Sequence, residues 1–244
     1  MLCEKRETRN ETRENAVPVF AWRSSSCNIG AETMAGLFIT FEGGEACGKS
    51  TQVARLKKRL TQADRPVLTL HEPGFTEIGV AIRHLLLHAR ENAQMLAETE
   101  LLLFGASRAQ LVGQVIRPAL ASEKIVICDR FSDSTTVYQG MARGLSAEFI
   151  DRLNHFATGG LKPVLTILLD LDPTTARRRR LRRVRPVGSP DRMEAETQEF
   201  FQRVRSGYLE LARREPARIK VIDAAHTEEE VEAAIWNEIH GLLG

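Results

Sequence analysis

The sequence predicts an α/β fold, a doubly wound five-stranded parallel sheet with helices on both faces. From Leu37 onward, short runs rich in β-forming residues alternate with longer segments of helical periodicity, which is typical of a parallel sheet covered by helices. The short runs are apolar, as expected for strands that are buried on both faces. The predicted strands are Leu37–Glu42, Val67–Leu70, Ile125–Cys128, Val164–Leu169 and Ile219–Ile222.

Apolar residues at three- and four-residue spacing predict the helices between these strands. Val53, Leu56 and Leu60 mark the helix after the first strand, and Thr227 with Glu230 gives the capping-box signal for the last helix. Two further stripes are Ile78, Ile82, Leu85 and Leu86 in a second helix, and Leu101, Leu102, Phe104, Leu111, Val112, Val115 and Ile116 in a long third helix that ends near Pro118.

The composition is that of an ordinary globular chain with a sizeable core. The 244 residues are 43% hydrophobic and 27% charged, which suits one large domain that needs neither disulfides nor a structural metal. Lys+Arg (34) and Asp+Glu (32) nearly cancel, which disfavours a general nucleic-acid binder. The four cysteines show no metal-ligand spacing, and no apolar run approaches the roughly 20 residues of a membrane span. We therefore expect a cytoplasmic protein with reduced thiols.

Residues 1–34 differ from the rest of the chain. Met1 to Asn15 is a mixed-charge stretch that has neither the apolar core of a signal peptide nor the acid-poor composition of a transit peptide. We expect residues 1–34 to be a disordered extension and residues 35–244 to form a single domain. No residue-level feature supports the alternative, a regulatory tail.

The strongest functional signal is Gly43-Gly44-Glu45-Ala46-Cys47-Gly48-Lys49-Ser50, which matches G-x-x-x-x-G-K-[ST], the phosphate-binding loop or P-loop. It follows a predicted strand and opens a predicted helix, whose free N–H groups and positive dipole end favour phosphate. Lys49 is expected to reach the β- and γ-phosphates of ATP, and Ser50 to ligate Mg²⁺. Thr51 completes the predicted ATP site, and Cys47 is interpreted as a small loop-filling residue.

A second polar pair, Asp129-Arg130, follows the third predicted strand. Ligands of open α/β sheets bind at the carboxyl ends of strands, so both side chains are expected beside the P-loop. Asp129 is a candidate to hold Mg²⁺ through water and Arg130 to clamp a phosphate, although an ordinary surface ion pair is an alternative. The chain has no N-K-x-D guanine signature, which disfavours a GTPase.

Taken together, five motifs resemble the thymidylate kinase family in their order and spacing. They are Phe41–Thr51, Glu72-Pro73-Gly74, Phe104 with Arg108, Asp129-Arg130-Phe131 and Ser134–Gln139. The resemblance covers about residues 36–243 and is specific as a set. It implies a P-loop kinase-type fold, Mg²⁺-dependent transfer of the γ-phosphate of ATP to dTMP, a homodimer, and no nucleic-acid or membrane partner.

The resemblance also implies roles at an acceptor site. Phe104 would stack on thymine while Arg108 reads the base edge, and Tyr138 would crowd a ribose 2′-hydroxyl; both aromatics could instead be core residues. Arg130 would hold the acceptor phosphate, and Glu45 would orient that phosphate or its metal. The complete predicted acceptor set is Glu72, Pro73, Phe104, Arg108, Arg130, Ser134, Thr135, Tyr138 and Gln139.

Two residues depart from the family pattern beside the expected acceptor pocket. His71 stands where arginine is common, and Phe75 stands where glycine is common. Another nucleoside monophosphate or deoxynucleoside kinase therefore stays open as an alternative. A P-loop protein that acts as a slow ATP-hydrolysing switch is the rival from a different class.

Residues 177–185 contain seven arginines in nine positions. Like charges on one helix repel by about 0.2–0.5 kcal/mol per i,i+4 pair, so an anionic partner is expected; a solvated basic face or a nucleic-acid patch is the alternative. Asp172-Pro173 predicts the start of this helix, and we expect a short, mobile, arginine-rich lid at about residues 177–194. The P-loop lacks arginine, and the resembled bacterial form with a bare P-loop carries its catalytic arginine in the lid. The predicted catalytic residues are Lys49, Glu45, Arg130, Arg179, Arg183 and Arg192.

Replacing Arg183 with alanine is expected to lower turnover strongly and to change acceptor affinity little, because a lid arginine stabilises charge mainly in the transition state, where it can be worth about 10³–10⁵ in rate. Steady-state kinetics with varied acceptor measure both quantities. Arg178→Ala, from the same arginine run, is the control. Unaltered turnover in Arg183→Ala would remove this residue from the mechanism.

Overall fold

A parallel sheet organises the computed structural model, which describes residues 36–89, 92, 94–182 and 191–243. The predicted extension (residues 1–34) and the lid candidate Arg183 lie outside these residues. The sheet order is β2-β3-β1-β4-β5 and all four pairings are parallel, which confirms the predicted α/β fold. The strands are β1 (Leu37–Gly43), β2 (Val67–His71), β3 (Ile125–Asp129), β4 (Leu165–Asp170) and β5 (Ile219–Asp223).

Each strand ends one residue later than the sequence predicted. The added residues are Gly43, His71, Asp129, Asp170 and Asp223, four of them with polar side chains. The apolar pattern stops where the side chains leave the core, whereas the backbone ladder continues for one more residue. Polar side chains therefore line the carboxyl edge of the sheet, at the ends of four of the five strands.

Helices cover both faces of the sheet, and two of them continue as π-helical segments, a form that often occurs at functional sites. The predicted third helix is a continuous run of α3, a π-helical segment at Val112–Ile116 and α4. The second π-helical segment, Thr136–Ala142, extends α5. The α-helices are α1 (Lys49–Gln62), α2 (Glu77–Leu87), α3 (Ala97–Leu111), α4 (Arg117–Ala121), α5 (Ser132–Thr135), α6 (Ala147–Thr158), α7 (Pro173–Arg182), α8 (Gln198–Arg214) and α9 (Glu228–Ile239).

Two helix starts carry the caps that the sequence predicts. At α9, the Thr227 hydroxyl accepts from Glu230 N at 3.3 Å, and the Glu230 carboxylate accepts from Thr227 N at 2.9 Å. At α7, Asp172 Oδ1 accepts from Thr174 N at 2.9 Å and from Thr175 N at 3.2 Å. Each cap satisfies backbone N–H groups that the helix leaves unpaired.

The core lies on both faces of β1, β3 and β4. One cluster joins these strands to α1 and α9, and two further clusters join the opposite face to α3, α4 and α8. The predicted apolar stripe of α2 is wrong in part: Leu86 is fully buried, but Ile78 is 54% exposed and Leu85 is 40% exposed. Helix α2 therefore has a second apolar face, directed away from the core. Among the described residues, no helix is long and apolar enough to cross a membrane.

Candidate active site

The P-loop connects β1 to α1 through backbone conformations that glycine permits. Gly43 has φ 138°, and a Cβ at this position would lie 2.5 Å from the carbonyl oxygen of Leu169. Gly48 has φ 98° and is the N-cap of α1. Both conformations are strained for residues that carry a Cβ. The loop thus turns tightly onto the helix and leaves the first N–H groups of α1 available for an anion.

Lys49 lies inside this loop and is buried. Its Nζ donates to the carbonyl oxygens of Gly43 at 3.3 Å and Gly44 at 2.9 Å. Burial and the nearby Arg130 oppose a charged ammonium, but Cys47, Asp129 and Glu45 favour it, so that the pKa of Lys49 lies above its ordinary value. The site therefore keeps a cation inside the P-loop.

The two predicted magnesium ligands lie next to each other although they are 79 residues apart in sequence. Parallel pairing sets Phe41 of β1 opposite Asp129 of β3, so the P-loop and Asp129 emerge at the same edge. The Ser50 hydroxyl donates to Asp129 Oδ2 at 3.2 Å. A hydroxyl and one carboxylate fit Mg²⁺, which prefers oxygen ligands and commonly combines one or two carboxylates with substrate phosphates. No group of three or more metal-binding side chains occurs among the described residues.

Arg130 is the centre of the predicted acceptor side. Its Nη2 donates to Glu45 Oε1 at 2.8 Å and to the Tyr138 hydroxyl at 3.1 Å. Its Nη1 donates to Ser134 Oγ and to the Tyr208 hydroxyl, both at 3.2 Å. Burial raises the pKa of Glu45, but Arg130 and Lys49 outweigh it and hold this pKa below its ordinary value. The pair is therefore ionised and links the P-loop to the end of β3.

Glu42, the residue before the P-loop, is fully buried behind Arg130. Its Oε1 accepts from Phe131 N at 2.8 Å, and its Oε2 accepts from Ser134 Oγ and the Tyr208 hydroxyl, both at 2.6 Å. Burial raises the pKa of Glu42 to about 7, with a further upward contribution from Asp133 and an opposing one from Arg130. Glu42 thus holds a network of hydroxyl groups beneath the guanidinium.

Arg108 lies at the bottom of the predicted acceptor site and is almost completely buried. It forms an ion pair with Glu72 at 2.5 Å and donates to Asn154 Oδ1 at 2.7 Å and to the Thr135 hydroxyl at 2.8 Å. Burial raises the pKa of Glu72, and Arg108 opposes the rise. These bonds connect the loop after β2 to α3, α5 and α6, so Arg108 also has a supporting role beside its predicted contact with a base.

One cleft of about 1080 Å³ brings the predicted donor and acceptor residues together. It extends from the P-loop across the end of β3 to the half-buried ring of Phe104 on α3. The residues of the predicted sites that line it are Glu45 to Thr51, Glu72, Pro73, Phe104, Arg108, Asp129, Arg130, Ser134, Thr135, Tyr138 and Gln139. Gly43 and Gly44 line a neighbouring cavity of about 520 Å³ beneath α7.

The described lid arginines lie outside this cleft. Arg179 is half-buried on α7, and Arg192 pairs with Glu100 and donates to Leu86 O at 3.1 Å. Arg180, which the sequence did not single out, donates to Glu194 O at 2.5 Å and lines the smaller cavity beside Glu45. Helical spacing could have found it, because Arg180 is one turn after Ala176 and two turns after the buried Pro173, so that all three lie on one face of α7.

Glu100 is a second buried carboxylate, and it forms ion pairs with two arginines. It pairs with Arg143 at 2.6 Å and with Arg192, and it accepts from Gln139 Nε2 at 2.6 Å. Burial raises the pKa of Glu100, but the Arg143 and Gln139 bonds outweigh it and the pKa lies below its ordinary value. The end of the predicted lid, at Arg192, is therefore tied to α3, and α3 is tied through Arg143 and Gln139 to the π-helical segment at Thr136–Ala142 and the residue after it.

Sequence reasoning also missed Glu42, Tyr208 and Asn154. Glu42 was assigned only to the end of a strand, Tyr208 is far along the chain on α8, and Asn154 lies on α6. Glu42 lies within the motif Phe41–Thr51 but was given no role of its own there, and Tyr208 and Asn154 belong to no local motif. Only a buried polar residue in an otherwise apolar helix face, as at Tyr208 and Asn154, could have signalled their role.

This fold and this cleft define a nucleotide kinase of the P-loop class. The family model described as thymidylate kinase matches residues 41–235. The chain belongs to the thymidylate kinase family.

Individual relatives cover most of the chain. The thymidylate kinase of Deinococcus radiodurans is 48% identical over 201 residues, which is 82% of this chain and 95% of that protein. The thymidylate kinase of Kosmotoga olearia is 45% identical over 202 residues, 83% of this chain and 94% of that protein. The crystal structure of thymidylate kinase from Ehrlichia chaffeensis superposes with a TM-score of 0.66 at 31% identity and covers 84% of this chain and 98% of that one.

Replacing Glu42 with glutamine is expected to change how stability depends on pH. Since the folded-state pKa is about 7 and the ordinary value 4.5, the folded protein holds this proton more tightly, and stability is lost as the pH rises from about 4.5 through 7. The loss is on the order of 3 kcal/mol and is absent in Glu42→Gln. Urea unfolding at a series of pH values measures it.

The control is Glu148→Gln, which removes an exposed carboxylate from α6. Between pH 4 and 8, the stability of the wild type is expected to fall relative to that of Glu42→Gln. If the stabilities of the wild type and of Glu42→Gln depend on pH in the same way, the burial effect at Glu42 is contradicted.

Proposed function

We propose that this chain transfers the γ-phosphate of ATP to dTMP and releases ADP and dTDP, a step that supplies dTTP. The observation that carries the proposal is the single cleft in which the P-loop faces Arg130, Phe104 and Tyr138. Membership of the thymidylate kinase family supports the choice of acceptor.

The donor side would bind ATP through the N–H groups of the P-loop and through Lys49. The ammonium of Lys49 is already held among the loop carbonyls and would turn to the β- and γ-phosphates. Ser50 and Asp129 are the residues that would hold Mg²⁺, the first directly and the second through water. When bound, the ion neutralises negative charge on the transferring phosphates.

The acceptor side would bind dTMP between α3 and the end of β3. Phe104 would stack on the base and Arg108 would contact its edge, while Tyr138 would restrict the space beside C2′ of the sugar. Arg130 would bind the acceptor phosphate from a position 2.8 Å from Glu45, which in turn belongs to the P-loop. The two substrates would thus be aligned by one ion pair that spans both sites.

The chemistry asked of the protein is alignment, exclusion of water and charge stabilisation, without a covalent intermediate. The lid would supply the last of these. We retain Arg179, Arg183 and Arg192 as candidates and add Arg180, because it lies beside Glu45 in the smaller cavity. Arg192 would contribute only after leaving Glu100.

A different monophosphate acceptor is the second candidate, and the loop after β2 favours it. His71 lies opposite Asp129 in the sheet and packs edge-on against Phe75, with ring centroids 6.3 Å apart. Phe75 has φ 72°, a conformation that favours glycine. These residues flank the acceptor cleft and could alter which base or sugar it accepts.

The acceptor is tested by ADP release with Mg·ATP and one monophosphate at a time: dTMP, dUMP, dCMP, dGMP, AMP or UMP. dTMP is expected to give the dominant response because Phe104, Arg108 and Tyr138 together favour a deoxypyrimidine. Lys49→Met, which removes the P-loop ammonium, is the control for background ATP loss. Dominance of another monophosphate would overturn the acceptor assignment, and no response to any would overturn the kinase proposal.

We also propose a homodimer, packed through the helical side formed by α2, α3 and α6. Helix α3 packs between α2 and α6, and their outer faces expose large apolar side chains. A patch of this kind usually marks an interface. The exposed residues are Ile78, Val80 and Leu85 on α2, Leu102 on α3, and Phe149 and Phe156 on α6.

Light scattering after gel filtration is expected to give about twice the 27.3 kDa mass of the chain. Leu102→Glu should shift the mass to that of a monomer, because a carboxylate placed in an apolar interface loses its hydration. Leu242→Glu changes an exposed leucine away from these helices and is the control. A monomeric wild type, or a dimer that Leu102→Glu leaves intact, would contradict the proposed interface.

A further inference from the structure

A buried carboxylate, Glu42, and the hydroxyl groups of Ser134 and Tyr208 form a hydrogen-bonded cluster against Arg130. We propose that Glu42 and Tyr208 are positioning residues that fix the Arg130 guanidinium for the phosphate of the acceptor. The inference rests on the proposed function, in which Arg130 binds that phosphate, and it adds two residues that do not contact substrate.

The Arg130 guanidinium is held on both terminal nitrogens. Nη2 bonds to Glu45 and Tyr138, while Nη1 bonds only to the hydroxyls of Ser134 and Tyr208 among the described residues. Glu45, Tyr138 and Ser134 line the cleft, where an entering phosphate would compete for the guanidinium, whereas Tyr208 does not line it. The Nη1 bond to the Tyr208 hydroxyl is therefore the one that can keep the guanidinium in place while the substrate binds.

Glu42 determines which way the two hydroxyls point. A hydroxyl has one proton to donate, and Ser134 and Tyr208 place their oxygens 2.9 Å from each other and 2.6 Å from Glu42 Oε2, so each donates its proton to Glu42 when this group is an ionised carboxylate. Their lone pairs are then free to accept from Arg130. Without an acceptor at Glu42, either hydroxyl could turn its proton toward the arginine and repel it.

The backbone at Arg130 and Phe131 also depends on Glu42. Arg130 has φ 71°, an uncommon conformation for a residue with a side chain, and its N–H donates to Phe41 O at 2.9 Å. Glu42 Oε1 accepts from the next amide, that of Phe131, at 2.8 Å. One carboxylate therefore holds both the main chain at Arg130 and the hydroxyls that contact its side chain.

A purely space-filling role for Tyr208 makes a different prediction. Its ring packs against Tyr138 with centroids 6.2 Å apart, and phenylalanine would keep that packing while removing the hydroxyl. The hydroxyl also bonds to the buried Glu42, so its loss lowers stability in either case, but it weakens phosphate binding selectively only if it orients Arg130. Tyr208→Phe therefore separates positioning from packing, and it preserves the apolar volume of α8.

Calorimetric titration with dTMP and with thymidine provides a readout that general structural damage would not mimic. Thymidine lacks the phosphate but has the same base and sugar. Tyr208→Phe and Glu42→Gln are each expected to weaken dTMP binding by about tenfold, the effect of losing one hydrogen bond to a charged group. Thymidine affinity should stay within about twofold of the wild type.

Thr40→Val is the matched control. It removes a buried hydroxyl from β1, two residues before Glu42, where Thr40 and Thr166 share a 2.8 Å bond that does not involve Arg130. Both ligands should bind this variant as they bind the wild type. Tyr208→Phe carries the test even if Glu42→Gln does not fold.

Two results would overturn the inference. Tyr208→Phe that binds dTMP as tightly as the wild type would show that its hydroxyl does not position Arg130. Equal weakening of dTMP and thymidine would assign Tyr208 a packing role. Failure of the wild type to bind dTMP is a separate outcome, which would overturn the proposed function and this inference with it.

Discussion

The parallel alignment of β1, β2 and β3 is the constraint on which the rest of the structure depends. It sets Phe41 and His71 opposite Asp129, so the loops after three strands leave the sheet at one edge. The P-loop, the loop after β2 and the Asp129-Arg130 pair meet there because of register alone. The helices and the π-helical segment then close a cleft around groups that the sheet has already brought together.

Placing charged side chains inside the protein is the main free-energy cost of forming this cleft. Arg108, Arg130, Arg143 and Arg218 each lie largely within the protein and each meets a carboxylate from a different element. Such pairs contribute little net stability when they replace apolar packing, but removing one partner leaves an uncompensated charge that costs about 3–5 kcal/mol. The pairs therefore specify the relative placement of helices and loops more than they stabilise the chain.

The sheet, the P-loop and the capping box could be predicted because each depends on residues that are adjacent in sequence. The contacts of Tyr208 and Asn154 could not, since they arise only when α8 and α6 pack against the π-helical segment at Thr136–Ala142. Helix α2 was misjudged for a related reason: an apolar stripe predicts an amphipathic helix, but it does not show which of its apolar residues face the core. In the predicted lid, the seven arginines of residues 177–185 are alike in sequence, so residue type alone did not distinguish Arg180 as the one that lies beside Glu45.

Helix α3 connects the ion pairs of Glu100 to the cleft residues Phe104 and Arg108. Glu100, which holds Arg192 and Arg143, lies one turn before Phe104 and two turns before Arg108 on the same helix. At about 1.5 Å per residue, roughly 12 Å of one helix separates Glu100, which binds Arg192, from Arg108, which lines the cleft. A tilt or a rotation of α3 would therefore move the ion pair of Arg192 and the cleft wall at Phe104 and Arg108 together.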